Sequence, residues 1–365
     1  PVLGGYLVDH YSWTWAFLIN VPLAIFVLLI VWLRVPESLS DHAAGSIDYV
    51  GAVLATVALG GTVYAFIEAP TRGWRSTSVA AALIAGVLAA AAFIVTEQRV
   101  RSPMLPLGLF RIRNFAGANL LTLLLYAALG GALFFFPLNL IQVQGYSASA
   151  AGAALLPFIL IMFAMSRWAG GLVDRIGSKV PLIAGPLVAA AGFVLFAVPD
   201  LNADYWSEFL PAVIVLGFGM TVTVAPLTTT VMNSVSVDLS GLASGVNNAV
   251  ARTAALLAIA VFVMVLSWVF DARLHEGLRD AGISAEVTEF MEAQRSKLAA
   301  MEPPPGLGSS AAATVRRVVE YSFVSGFRCV MLLSAGLALC SAFAAVAWVE
   351  GRPGASRRSP QPDVA

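Results

Sequence analysis

Nine stretches of this chain are too long and too apolar for anything but a lipid bilayer, and that bounds every other reading. They fall at about 14–33, 48–69, 77–97, 115–140, 149–172, 180–199, 208–233, 244–270 and 322–349. A hydrocarbon core offers the backbone no hydrogen-bond partner, so a spanning segment must be a helix or part of a closed barrel. Barrel strands alternate polar and apolar residues over about ten positions, and these runs do not. The chain is therefore an all-α polytopic membrane protein with nine transmembrane helices. Charged residues make up only 12% of it, about half the share usual in a soluble domain, which is about 25%.

The same sequence excludes several classes of activity. Acidic and basic residues balance to a net charge of zero, so no global field draws the chain to nucleic acid. It has no phosphate-cradling glycine loop and no Ser/His/Asp set. Its three histidines, His10, His42 and His275, are far apart in loops, which supports neither ATP-driven transport nor metal chemistry. No enzyme activity, cofactor or metal is expected. Cys329 and Cys340 share the last span, separated by about 16 Å of helix, and read as packing residues rather than a disulfide.

Orientation follows from the basic residues in short loops. One side collects Arg34, Arg99, Arg101, Arg111, Arg113, Arg175, Lys179, Arg352, Arg357 and Arg358; the other has Arg72 and Arg75. That asymmetry puts the Arg34 side and the C-terminus in the cytoplasm, in a cell inner membrane. The 271–321 segment is then an outer loop, and residues 286–300 of it read as a short amphipathic surface helix ending at Pro303-Pro304-Pro305-Gly306. The chain opens at Pro1 with no charged leader, so the reading expects N-terminal helices of the same protein that this chain lacks.

The turn after the fifth span reads Gly170-Gly171-Leu172-Val173-Asp174-Arg175-Ile176-Gly177-Ser178-Lys179. Gly170 and Gly171 permit close helix contact and Gly177 a tight turn. Asp174 is expected to face a helix N-terminus, whose dipole favours a carboxylate. This string resembles the G-x-L-x-D-R-x-G-x-K loop of the major facilitator superfamily. Pro1-Val2-Leu3-Gly4-Gly5 is similar to the end of the antiporter signature of that superfamily's fifth helix. The ordered string Trp13, Trp15, Phe17, Ile19, Asn20, Val21 and Pro22 resembles the entry to helix six in its fourteen-helix drug:proton antiporters. Asp48-Tyr49-Val50-Gly51-Ala52, the Pro103–Leu107 stretch, and Gly241–Asn248 with Arg252 look like the same family.

The resemblance implies that the nine spans correspond to helices six to fourteen of a fourteen-helix major facilitator fold. Residues 1–33 would close the N-terminal half, 34–114 would hold two extra linker helices, 115–349 would form the C-terminal six-helix half, and 350–365 a cytoplasmic tail. It also implies proton-driven antiport of hydrophobic or amphipathic molecules such as drugs, through a cavity near the midplane between the halves. Export of a lipid, amino acid or siderophore, or a truncated, transport-inactive chain, are the alternatives. In helices resembling the cavity-lining ones, the polar residues at mid-depth are Asn119, Thr122, Tyr126, Thr221 and Thr223. The gating motif would comprise Gly170, Gly171, Asp174, Arg175, Gly177, Lys179 and Arg252, with Pro1, Gly4 and Gly5 ending the antiporter motif.

Ionisable groups inside the spans are Arg167, Arg252 and Arg328, all close enough to a span end for the charge to reach the interface. No carboxylate lies well within a span; Asp48 and Glu68 sit at edges. A proton-carrying acid is therefore expected in the helices this chain lacks, with Asp48 and Glu68 dispensable for coupling.

Overall fold

A computed structural model describes residues 2–35, 48–100 and 103–350. Among the described residues there are nine helical stretches long and apolar enough to cross a membrane. Pro1, Arg101 and the 351–365 tail lie outside the described residues.

The chain begins with α1 (Val2–His10), α2 (Trp13–Leu18) and α3 (Asn20–Arg34). The break between α2 and α3 follows from Pro22, which has no amide to give to the carbonyl four residues back. At the break Asn20 turns back on α2, donating its Nδ2 to the Phe17 carbonyl at 3.2 Å. No residue of α3 is buried, so its apolar surface is left to lipid or to helices packed against it.

Next come α4 (Tyr49–Arg72) and α5 (Thr77–Arg99), antiparallel and packed on each other through small residues. A Cβ added to Gly61 would stand 2.6 Å from the Ala82 carbonyl oxygen, so the two backbones touch, as small residues allow in membranes. From α4 the pair reaches α12.

The remaining spans form one bundle: α6 (Arg113–Gln142), α7 (Ala148–Ala153) with α8 (Leu156–Gly170) and α9 (Leu172–Ile176), α10 (Lys179–Phe196), α11 (Leu210–Asn233), α12 (Ser240–Asp280), α13 (Ala285–Ala293) and α14 (Ser309–Trp348). Its core runs continuously from Phe115 and Leu121 through Phe193, Phe209 and Phe270 to Phe323 and Phe327. Aromatic edges close the centre, with the Phe136 ring centroid 4.9 Å from that of Phe196 and 5.5 Å from that of Phe209. Close approach is again glycine's work. A Cβ on Gly219 would lie 2.8 Å from the Gly185 carbonyl oxygen across the α10–α11 contact. On α6, Gly130 meets Ala255 of α12 so closely that a Cβ would lie 2.8 Å from its Cα.

The last two spans are longer than their apolar cores. α12 has 41 residues, or about 60 Å of helix against about 30 Å of hydrocarbon. Hydropathy predicts that span to end near residue 270, with 271–321 an outer loop. The structure corrects this: α12 runs on to Asp280 and α14 starts at Ser309. Beyond the apolar run, Phe270, Leu274 and Leu278 recur every four residues and are buried in the same core as Val315 and Val319 of α14 and Met291 of α13. Charges on the outward face hide this stripe from an average of hydrophobicity. The amphipathic helix expected at 286–300 is present as α13 followed by a tighter turn at Arg295–Ala300. His275 of α12 pins α13 through Glu292, Nε2 to Oε1 at 2.7 Å.

Candidate functional site: polar seams between membrane helices

Of the five residues expected to line a cavity, Asn119 and Thr122 lie one turn apart on α6 and are buried. Each first satisfies its own helix, Asn119 Nδ2 donating to the Phe115 carbonyl at 2.9 Å and Thr122 Oγ1 to the Ala118 carbonyl at 2.8 Å. Their free acceptors then take both hydrogens of one amide across the bundle. Asn247 Nδ2, on α12, donates to Asn119 Oδ1 at 3.2 Å and to Thr122 Oγ1 at 2.7 Å. The result is a polar node in an apolar interface, where an unmet donor would be costly. In the sequence Asn247 stands out only as part of the Gly241–Asn248 string; its partners lie 125 and 128 residues away, a separation that leaves no periodic trace.

Tyr126 stands one turn further along α6, half-buried. Thr221 and Thr223 are buried on α11 and bond to their own helix, to the Gly217 and Gly219 carbonyls at 2.7 and 2.8 Å. Thr223 faces Gly185 of α10, whose missing side chain makes room for it. Among the described residues no hydrogen bond joins the α6–α12 node to the α11 threonines.

The loop motif builds a turn at one end of the bundle. Gly171 caps α8, and Gly177 adopts φ +79°, a conformation that side chains disfavour, before Lys179 begins α10. Gly170 has nothing within 4 Å of where a Cβ would stand; it makes no close approach of the kind expected. Asp174 stands in the first turn of α9 and lines a cavity of about 250 Å³ with Ser178, the N-cap of α10, and with Thr230, Asn233 and Ser234 at the C-terminal end of α11. Asp174 receives no hydrogen bond among the described residues. Arg175 and Arg252 are exposed.

At the opposite end of the bundle, α1 docks on α7. Gly4 is free of neighbours, whereas Gly5 lies directly against the backbone of Ala148 and Ser149. Four residues later, Asp9 accepts from the amides of Ala148 at 3.2 Å and Ser149 at 2.7 Å. Ser149 holds the Asp9 carboxyl below the usual carboxylate range, through its nearby hydroxyl and its amide. The amide bond is well formed; the hydroxyl approaches without completing one.

The arginines inside the spans divide. Arg328 of α14 donates to the Val198 and Pro199 carbonyls at 3.3 and 3.1 Å and pairs with Asp200 at 3.4 Å, so it closes the end of α10. Arg167 and Arg252 stay exposed and unpaired among the described residues. No group of three or more potential metal ligands occurs among the described residues.

A helical bundle without strands among the described residues, with nine stretches of spanning length joined by back-bonded hydroxyls and crossed amides, defines a multi-pass membrane protein. The chain belongs to the Major Facilitator Superfamily, whose sequence model matches residues 1–260. Its relatives include the Multidrug resistance protein Stp of Mycobacterium tuberculosis, 32% identical over 281 residues, which cover 77% of this chain and 52% of that protein. The Tetracenomycin C resistance and export protein of Streptomyces glaucescens is 28% identical over 373 residues, 99% of this chain and 67% of that protein. A transporter of Bacillus subtilis, YhcA, is 26% identical over 248 residues, 68% of this chain and 46% of that protein. The chain thus spans about half the length of Stp, the relative with the higher identity of the first two. The family is one of transporters, not enzymes.

Proposed function

We propose that the protein exports hydrophobic or amphipathic small molecules across the cell membrane, drug-like compounds among them, in exchange for protons. The observation that carries this reading is the similarity over nearly the whole chain to a protein named for resistance and export. The fourteen-helix arrangement is part of the proposal. In it α1 to α3 belong to the N-terminal half, α4 and α5 are the inserted pair, and α6 to α14 form the C-terminal half. The Asp174 end then faces the cytoplasm, as the basic loop residues favour.

In this reading Asn119, Thr122 and Tyr126 of α6, with Asn247 of α12, offer the exporter's polar contacts, and Thr221 and Thr223 are contacts of α11. Alternation of access would rock the half formed by α6 to α14 against the N-terminal half and open one side of the cavity at a time. Asp9 of α1, held by the first amides of α7, would fasten the end opposite Asp174.

The test is efflux from intact cells that make the complete gene product. Cells preloaded with a fluorescent amphiphilic cation should lose it faster than cells carrying an empty vector, and a protonophore should abolish the difference. Equal loss rates, with the protein shown to be in the membrane, would reject the reading.

A further inference from the structure

We propose that Asp48 and Glu97 form a proton-binding carboxyl pair, one proton being held between Asp48 Oδ2 and Glu97 Oε1 where α4 begins and α5 ends. Each carboxyl spends one oxygen on the backbone. Asp48 Oδ1 accepts from the Gly51 amide at 2.7 Å and so caps α4. Glu97 Oε2 accepts from the Leu105 amide at 3.0 Å and ties down the segment leading to α6. The remaining oxygens, Oδ2 and Oε1, are both sealed from solvent and have no hydrogen-bond partner. Glu97 as a whole is only 3% exposed.

Those two partnerless oxygens point into the same space. A Cβ at Gly51 would stand 2.5 Å from Asp48 Oδ2 and 2.8 Å from Glu97 Oε1. Glycine here leaves the room in which the carboxyls meet. Two ionised carboxylates side by side repel strongly when water is excluded, and such pairs resolve this by sharing one proton. Among the described residues Asp48 is the one ionisable side chain that acts on Glu97, and neither acid has a salt-bridge partner. The adjoining groove adds none: α12, which packs on α4, contributes Gly241, Leu242, Gly245, Val246 and Ala249 to it.

The bound proton converts an acceptor–acceptor contact into O–H···O⁻, with the proton taken from the water bordering the helix ends. It closes a chain from the first turn of α4, through both carboxyls, to Leu105. Its loss would place a second negative charge in that space, and the two helix ends would part. The inference does not rest on the export reading.

The test is infrared spectroscopy of the full-length protein in liposomes, titrated from acid to alkaline pH. The parent should keep a protonated-carboxyl band at neutral pH, and Glu97→Gln and Asp48→Asn should each lose it. Both substitutions suit the fold, since Gln still accepts from Leu105 and Asn still caps a helix. The double variant should show no further loss. A band identical in the parent and both single variants would overturn the assignment, as would a band that appears only when divalent cations are chelated, because the pair would then hold a metal.

Discussion

Asp9 Oδ2 accepts the Ser149 amide at 2.7 Å across 140 residues of sequence, and it fastens α1 to α7 beside the point where Gly5 lets the two backbones touch. Hydrogen bonds to the ionised form lower the folded pKa of Asp9. A lowered carboxyl contributes stability at every pH above its unfolded pKa and loses it as pH falls through the folded value. The α1–α7 contact should therefore hold at neutral pH and loosen only below about pH 4, near the ordinary Asp value. Cross-linking between cysteines placed on α1 and α7 should fall in that range. Asp9→Asn should remove the pH dependence and Asp9→Ala should weaken the contact at all pH values.

Removing Asn247 breaks two interhelical bonds and leaves the acceptors of Asn119 and Thr122 without their cross-bundle donor. Membrane hydrogen bonds of this kind contribute about 0.6 kcal/mol each on average. Asn247→Ala should cost roughly 1–2 kcal/mol of stability in detergent unfolding. Asn247→Ala combined with Thr122→Ala should cost less than the sum of the two single changes, because both remove one shared bond.

Arg328 closes the end of α10 with two carbonyl bonds and the Asp200 pair. Arg328→Gln should loosen residues 198–202, seen as faster amide exchange there, and cost about 1–2 kcal/mol. Asp200→Asn should cost much less, because the carbonyl bonds survive it.

At Gly177 the backbone has φ +79° and ψ 172°, a region that is essentially glycine's alone, and forcing another residue into it costs about 1–3 kcal/mol. Gly177→Ala should lower thermal stability by that amount. Gly170→Ala should be silent, because open space surrounds that position.

Much of the fold was legible because the bilayer imposes a length. Every span expected from hydropathy is present, with ends within a few residues except in α12 and α14. In α12 Asp271, Arg273 and Glu276, and in α14 Arg316, Arg317 and Glu320, lower the average hydrophobicity, while Phe270, Leu274 and Leu278, and Val315 and Val319, continue buried stripes that only a four-residue period exposes. The site was less legible. Depth and polarity single out Asn119 and Thr122, but their partner Asn247 lies on a helix brought alongside by packing alone. Asp174 shares its cavity with both the Ser178 cap of α10 and the carbonyl end of α11, and no sequence rule says which neighbouring helix ends a turn will reach. Glu97 reads as a routine helix-end acid until α4 and the Leu105 segment close over it.

The central claim, proton-exchanged export, is tested most directly in inside-out membrane vesicles containing the complete gene product. An imposed gradient, acid inside, should drive a fluorescent amphiphile into the vesicles and release protons as it enters. Collapsing the gradient should stop both. Uptake that ignores the gradient, or none at all in vesicles shown to contain the inserted protein, would contradict the account.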